Sequence, residues 1–195
     1  MPPAEGPTVT VAKPNPRNNP AMFKIFQNVQ YNVVQHKKYV KEMVKLYRKL
    51  DEETFRESFK NALQYLFTFG DASGNVDRVI QFVATFCTSL DDEEEFLMFI
   101  FEIIFDCQCV SGQSVRFRAS QLLAAALSAL GEDASLDDDL CDKLLASQMQ
   151  RLQDTRGAVR CRAALALQRL QCPTDPDDEV TRAYRFHMSC DPSAS

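Results

Sequence analysis

The sequence predicts an all-α chain built as a stack of antiparallel helix hairpins, and three observations carry that prediction. No proline occurs between Met22 and Arg169, so nothing over that span removes a backbone donor or forces a break. The apolar residues there recur every three or four positions, the period of a helix buried on one face, and the β-branched residues fall within this pattern and not in alternating runs. Finally, SVRFRASQLLAAALSAL at 114–130 returns 44 positions later as AVRCRAALALQRL at 158–170, with Val115, Arg116, Arg118, Ala119 and Leu123 matched by Val159, Arg160, Arg162, Ala163 and Leu167. A helix that recurs at such a period is one unit of a repeat array.

Taken in order, residues 1–20 hold six of the nine prolines and few large apolar groups, too little burial to offset the entropy of ordering, and predict a disordered proline-rich tail. The array follows over 21–195. Its first helix, 22–35, begins after the last of these prolines, and the second, 37–50, gathers Val40, Met43, Val44, Tyr47 and Leu50 on one face. Asp51 before EETF and Ser73 before GNVDRVI are N-cap residues for helices over 52–69 and 74–89, with Gly70 in the break between them. The helix over 92–108 contains FLMFIFEIIF at 96–105, which is too short to span a bilayer, includes Glu102, and reads as core with the option of a docking groove.

After Gly112, the helix over 114–130 lines up Val115, Ala119, Leu122, Leu123, Ala126 and Leu130. Ser135 before LDDDL caps a helix over 135–153, behind a break at Gly131. The helix over 157–171 repeats the stripe with Val159, Ala163, Ala166, Leu167 and Leu170, and CPTDP at 172–176 stops it before a last helix over 177–189. The connections are short, which makes neighbouring helices antiparallel, and the alanines let them approach closely. Each of the two echoed helices is expected to press on its hairpin partner and on the next repeat.

Composition excludes several classes. The chain is 45% hydrophobic and 25% charged, as soluble globular proteins are, and its N-terminus lacks the positive, apolar and small-residue order of a secretory signal. The seven cysteines are odd in number and irregularly spaced inside helical patterns, which fits reduced thiols used as small apolar groups in the cytosol or nucleus. Cys107 and Cys109 are two apart and face different ways on a helix, so they predict no metal site. His36 and His187 lack ligand or triad partners and read as surface or interface histidines. No nucleophile–base set and no phosphate-binding glycine loop emerges, so neither catalysis, a cofactor nor a small-molecule substrate is expected.

The net charge of −5 argues against a general nucleic-acid binder, but the charge is segregated along the chain. Residues 22–50 carry Lys24, Lys37, Lys38, Lys41, Lys45, Arg48 and Lys49 against Glu42 alone, whereas 91–106 and 132–142 are acidic. On a helix, Lys37, Lys41, Lys45 and Arg48 share a face opposite the apolar one. Such a row can follow a phosphate backbone through sequence-independent electrostatics, and it can equally be the solvated face of an amphipathic helix. Arg118 and Arg162, recurring on successive repeats, join Lys37, Lys38, Lys41, Lys45 and Arg48 as phosphate-facing candidates.

The segment RLQDTRGAVRCRAALALQRL at 151–170 resembles a HEAT repeat: a first helix ending at Asp154, a turn, and a second helix opened by Val159 and Arg160. The carboxylate accepts in the turn while an arginine fork donates to it or to the next repeat's aspartate, so Asp154, Arg116 and Arg160 read as structural ladder residues. CQCVSGQ, before Val115, offers no aspartate at the matching place. SVRFRASQLL, SLDDDLCDKL and the stretch from Arg151 through TRAY together resemble the N-terminal part of the CAP-G family of condensin HEAT subunits. KIFQNVQYNVVQHKKYVKEMVKLYRKL and VDRVIQFVATFCTSL resemble it more loosely.

That resemblance implies a right-handed superhelical stack of helix hairpins, cut at its C-terminal end, and a non-enzymatic scaffold in mitotic chromosome condensation. Its implied partners are a CAP-H-like kleisin, the SMC ATPases reached through it, and double-stranded DNA, in the nucleus and on chromosomes with a possible cytoplasmic pool. No membrane partner is implied. The other reading is a HEAT or armadillo-type scaffold, a transport or phosphatase adaptor, in which the basic helix has no DNA role.

Overall fold

A computed structural model describes residues 19–190 apart from 71–72, 91–93, 132–133, 135, 173 and 176. Nine α-helices are found among the described residues: α1 (Pro20–Val29), α2 (His36–Lys49), α3 (Glu52–Phe67), α4 (Gly74–Cys87), α5 (Glu94–Gln108), α6 (Gln113–Ala129), α7 (Asp138–Arg151), α8 (Gly157–Leu167) and α9 (Glu179–Cys190). A 3-10 turn, Val33–Gln35, leads into α2, and no strand occurs among these residues. None of the helices is long and apolar enough to cross a membrane.

The helix starts follow local chemistry. Asn19 Oδ1 accepts from the Ala21 and Met22 amides at 3.1 Å each, so α1 begins at Pro20, whose missing N–H costs nothing at that position. This corrects the expected tail over 1–20, because Asn19 and Pro20 belong to the first helix; residues 1–18 lie outside the described residues. Asp51 accepts from the Thr54 amide at 2.9 Å to start α3. The cap of α7 is Asp137, accepting from Asp139 and Leu140, while Ser135, expected in that role, lies outside the described residues.

The expected helix over 22–35 ends early. Asn32 is extended and its side chain accepts from the Val34 amide at 2.9 Å, nucleating the 3-10 turn. The carbonyls freed at the end of α1 are taken by other elements: Arg78 Nε donates to the Gln30 oxygen at 2.6 Å, and His36 Nε2 donates to the Val29 oxygen at 2.9 Å. His36 is thereby buried inside the array, edge-on to Phe82, which corrects the reading of it as a surface or interface histidine.

The helices stack in two rows. α4 packs on α6 and α6 on α8, with α2 extending this row beside α4, while α7 lies between α5 and α9 on the other side. The hairpins α5–α6 and α7–α8 join the rows, and α6 and α8 share the most extensive interface among the described residues. Ala119, Leu122, Leu123, Ala126, Val159, Ala163, Ala166 and Leu167 are all fully buried, so the two echoed helices lie side by side as equivalent members of one row. One hydrophobic core runs from α1 to Ala166 of α8, and a second, around Leu152, Ala163, Leu167 and Val180, joins α8 to α9. The phenylalanine-rich stretch of α5 supplies Phe96, Ile100, Phe101 and Ile104 to the larger core, each fully buried.

Candidate nucleic-acid interface

The amphipathic split of α2 places its cations in solvent. Tyr39, Val40 and Met43 are buried toward the array, whereas Lys37, Lys38, Lys41, Lys45 and Arg48 are exposed. Among the described residues one carboxylate touches this face: Glu42 pairs with Lys38 at 3.8 Å, a solvent-exposed i, i+4 contact of small energetic weight. A shallow groove between α1 and α2 brings Lys24 beside Lys45 and Lys49, with Glu42 again the acidic lining residue. The result is a surface of exposed, long, flexible cations backed by a rigid helix, able to exchange counterions for the oxygens of an extended polyanion.

Arg118 does not belong to such a surface. It is completely buried, donating to Asp77 at 2.5 Å, to Gln121 at 2.6 Å and to the backbone oxygens of Phe69 and Gly70 behind the end of α3. The expectation that it faces phosphate is corrected by helix geometry. Residues two apart point to nearly opposite sides, so when Arg116 reaches along the turn, Arg118 is driven inward. Burial alone would raise the Asp77 carboxyl, but hydrogen bonds from Gln121 and Arg118 and the charges of Arg118 and Arg162 outweigh it and hold it below the ordinary aspartate range. Arg162 is half-buried over the Phe117 ring at 5.7 Å, so it belongs to the α6–α8 junction and not to the α2 face.

Arg116 grips Asp154 with two hydrogen bonds, Nε to Oδ2 at 2.7 Å and Nη2 to Oδ1 at 3.1 Å. Its remaining nitrogen donates to the backbone oxygens of Val110 and Ser111, in the turn where the repeat motif lacks its aspartate. Carbonyls of the α5–α6 turn thus do the work of the missing side chain. Arg160 donates to the backbone oxygen of Asp154 at 2.9 Å. Burial pushes the Asp154 carboxyl up, yet bonds from Arg116 and the Arg156 amide and the charges of Arg116 and Arg151 bring it below its ordinary range.

Two further arginines that the sequence did not single out act in the same way. Arg169 caps the end of α6, donating to the oxygens of Leu127, Leu130 and Gly131, and Arg151 donates to the Gln108 oxygen at the end of α5. Gln108 also joins Ser120, Ser147 and Gln148 in a buried polar cluster linking α5, α6 and α7. No group of three or more metal-ligating side chains is found among the described residues. All seven cysteines carry free thiols; burial raises the thiol of Cys87 and pushes that of Cys107 up to about 11.

No family model matches the chain. It is 35% identical over 173 residues to condensin complex subunit 3 of Homo sapiens, covering 83% of this chain and 17% of that protein. The Xenopus laevis protein of the same name is 34% identical over 174 residues, covering 83% and 16%. The chain therefore spans about a sixth of the length of these curated relatives. Among solved structures it is similar to the crystal structure of the Schizosaccharomyces pombe condensin Cnd3–Cnd2 subcomplex, with a TM-score of 0.71 and 25% identity over 88% of this chain and 22% of that one. The repeated Val-Arg helices, the two-row helical stack and these relatives together assign the chain to the condensin complex subunit 3 family of HEAT-repeat proteins.

Proposed function

We propose that this chain is a HEAT-repeat segment of a non-SMC condensin subunit that acts without catalysis in mitotic chromosome condensation, binding a kleisin and contacting double-stranded DNA through α2. The observation that carries the DNA contact is the exposed row Lys37, Lys41, Lys45 and Arg48, opposed on its own face by Glu42 alone. The kleisin contact is supported by the S. pombe relative, whose solved form is a Cnd3–Cnd2 subcomplex. A nuclear, chromosome-bound location follows from that role, and the SMC ATPases are reached through the kleisin.

The test is DNA binding by the chain with its kleisin. Lys37→Glu, Lys41→Glu and Lys45→Glu combined weaken duplex binding for all sequences alike, and each lysine–phosphate pair removed lowers the slope of log K against log salt by about 0.9. Lys→Gln versions separate this local pairing from long-range repulsion. Unchanged affinity and slope in both sets would return α2 to the role of a solvated face and favour the adaptor reading.

A further inference from the structure

We propose that Tyr31 and Val34, in the turn that leads into α2, form an apolar wedge that enters the base stack of a duplex lying on the cationic row. The inference rests on the reading of α2 as a DNA-contacting face and deepens it: the row holds phosphates, and the wedge opens a base step at the row's end. Val34 is 86% exposed and Tyr31 73%, the two most open large apolar side chains among the described residues, with Val33 beside them at 45%. Apolar surface standing this far into water is stabilised by whatever covers it. The turn that carries it is held from three sides. Asn32 Oδ1 accepts from the Val34 amide at 2.9 Å, His36 Nε2 donates to the Val29 oxygen at 2.9 Å, and Arg78 Nε donates to the Gln30 oxygen at 2.6 Å. The backbone on both sides of Tyr31 is thus fixed before anything binds. The 3-10 turn Val33–Gln35 runs directly into α2, so helical spacing sets Val34 on the face of Lys37, Lys38 and Lys41, at the head of the row.

The neighbouring charge chooses the occupant. Lys37 and Lys38 stand in the first turn of α2, where the helix's positive end disfavours cations and no acidic side chain offsets them. An uncharged partner would cover the apolar tip and leave these lysines unmatched. A duplex matches both, with phosphates on its outside and apolar base faces inside its stack. The row from Lys37 to Arg48 spans about 16 Å, room for about five base pairs, so the wedge meets the DNA at the end of a segment already held. An aliphatic tip beside a ring reads how easily a step opens and not the edges of its bases. Pyrimidine–purine steps and mismatched pairs, which unstack at least cost, are therefore its preferred substrates.

The experiment follows the chain with its kleisin on a short duplex that carries, beside a central TA step, a fluorescent adenine analogue that brightens when unstacked. A second duplex has one mismatched pair at that step. The parent should brighten the analogue and bind the mismatched duplex about tenfold or more tighter than the paired one, because the cost of opening is already met. Tyr31→Ala and Val34→Ala combined should abolish the brightening and the mismatch preference. The salt slope on the paired duplex should stay the same, since the same phosphates are held. Melting curves and co-purification with the kleisin are the controls for folding and assembly. Lys37→Gln, Lys41→Gln and Lys45→Gln combined should weaken binding to both duplexes. A parent that binds with the salt slope of phosphate contacts, yet leaves the analogue dark and the two duplexes equal, overturns the wedge and leaves the α2 reading standing. A lysine set that changes nothing overturns both. Loss of the kleisin from the Tyr31→Ala and Val34→Ala chain would make the tip a protein contact and overturn the proposal. So would binding of phosphatidylserine vesicles that this variant loses, which would make the tip a membrane contact.

Discussion

Between α3, α4 and α5 the rings of Phe55, Phe59, Phe86 and Phe96 lie 5.5 to 6.1 Å apart, centroid to centroid, each fully buried. Between α6 and α8 the facing residues are Ala119, Ala126, Ala163 and Ala166, equally buried but small. The two regions belong to one array and meet the same requirement by different physics. The aromatic region gains from area removed from water, which is large per residue and has little directional demand. The alanine region buries far less area per side chain, so α6 is tied by directed bonds: to the α7–α8 repeat by Arg116 on Asp154 and by Arg169 on three carbonyls, and back to α4 and the end of α3 by Arg118 on Asp77 and two carbonyls. A close helix pair needs such ties because its buried area alone specifies position weakly.

The contrast can be broken by substitution. The largest effect is expected for Phe59→Ala, which opens a cavity amid the ring cluster and should lower the unfolding free energy by about 3 to 5 kcal/mol in urea titration. A smaller loss would mean the rings repack and the aromatic region is not area-driven. Arg118→Met keeps the bulk of the side chain and removes its bonds. It should cost about 2 kcal/mol, because carbonyls behind α3 lose their donor while Asp77, at 48% side-chain exposure, can turn to water. A neutral or stabilising result would show that packing alone holds α6 against α4 and the end of α3.

Acid sharpens the same contrast. Asp77 and Asp154 are both held below the ordinary aspartate value in the folded chain. A depressed folded value contributes stability that is complete above the unfolded aspartate value, about 3.9, and lost as pH falls through the lower folded one. Melting temperatures followed from neutral pH to below pH 4 should therefore drop, and Asp154→Asn should start less stable and show a shallower drop. An identical acid profile would remove Asp154 from the account. The smallest effect belongs to α2, where Lys37→Gln, Lys41→Gln and Lys45→Gln should each change stability by about 0.5 kcal/mol or less, since these side chains face solvent. A larger change would mean the row has a structural partner.

The sequence by itself determined the helical class, the order of the helices and the cationic row of α2. Each of these is written in one dimension: a 3.6-residue period, capping residues such as Asp51, and a repeat of Val, Arg and Ala at fixed offset. It also held a signal that Arg116 and Arg118 could not share one exposed face, in their separation by two residues. Only the tertiary structure decided where Arg118 goes, because its partners are the backbone oxygens of Phe69 and Gly70 and the side chain of Asp77, more than forty positions away. Every residue has a carbonyl, so no residue type marks the ones that an incoming arginine will cap. The same holds for Phe23, Tyr65 and Phe69 between α1 and α3, which stay open to solvent because of how two helices distant in sequence meet a third.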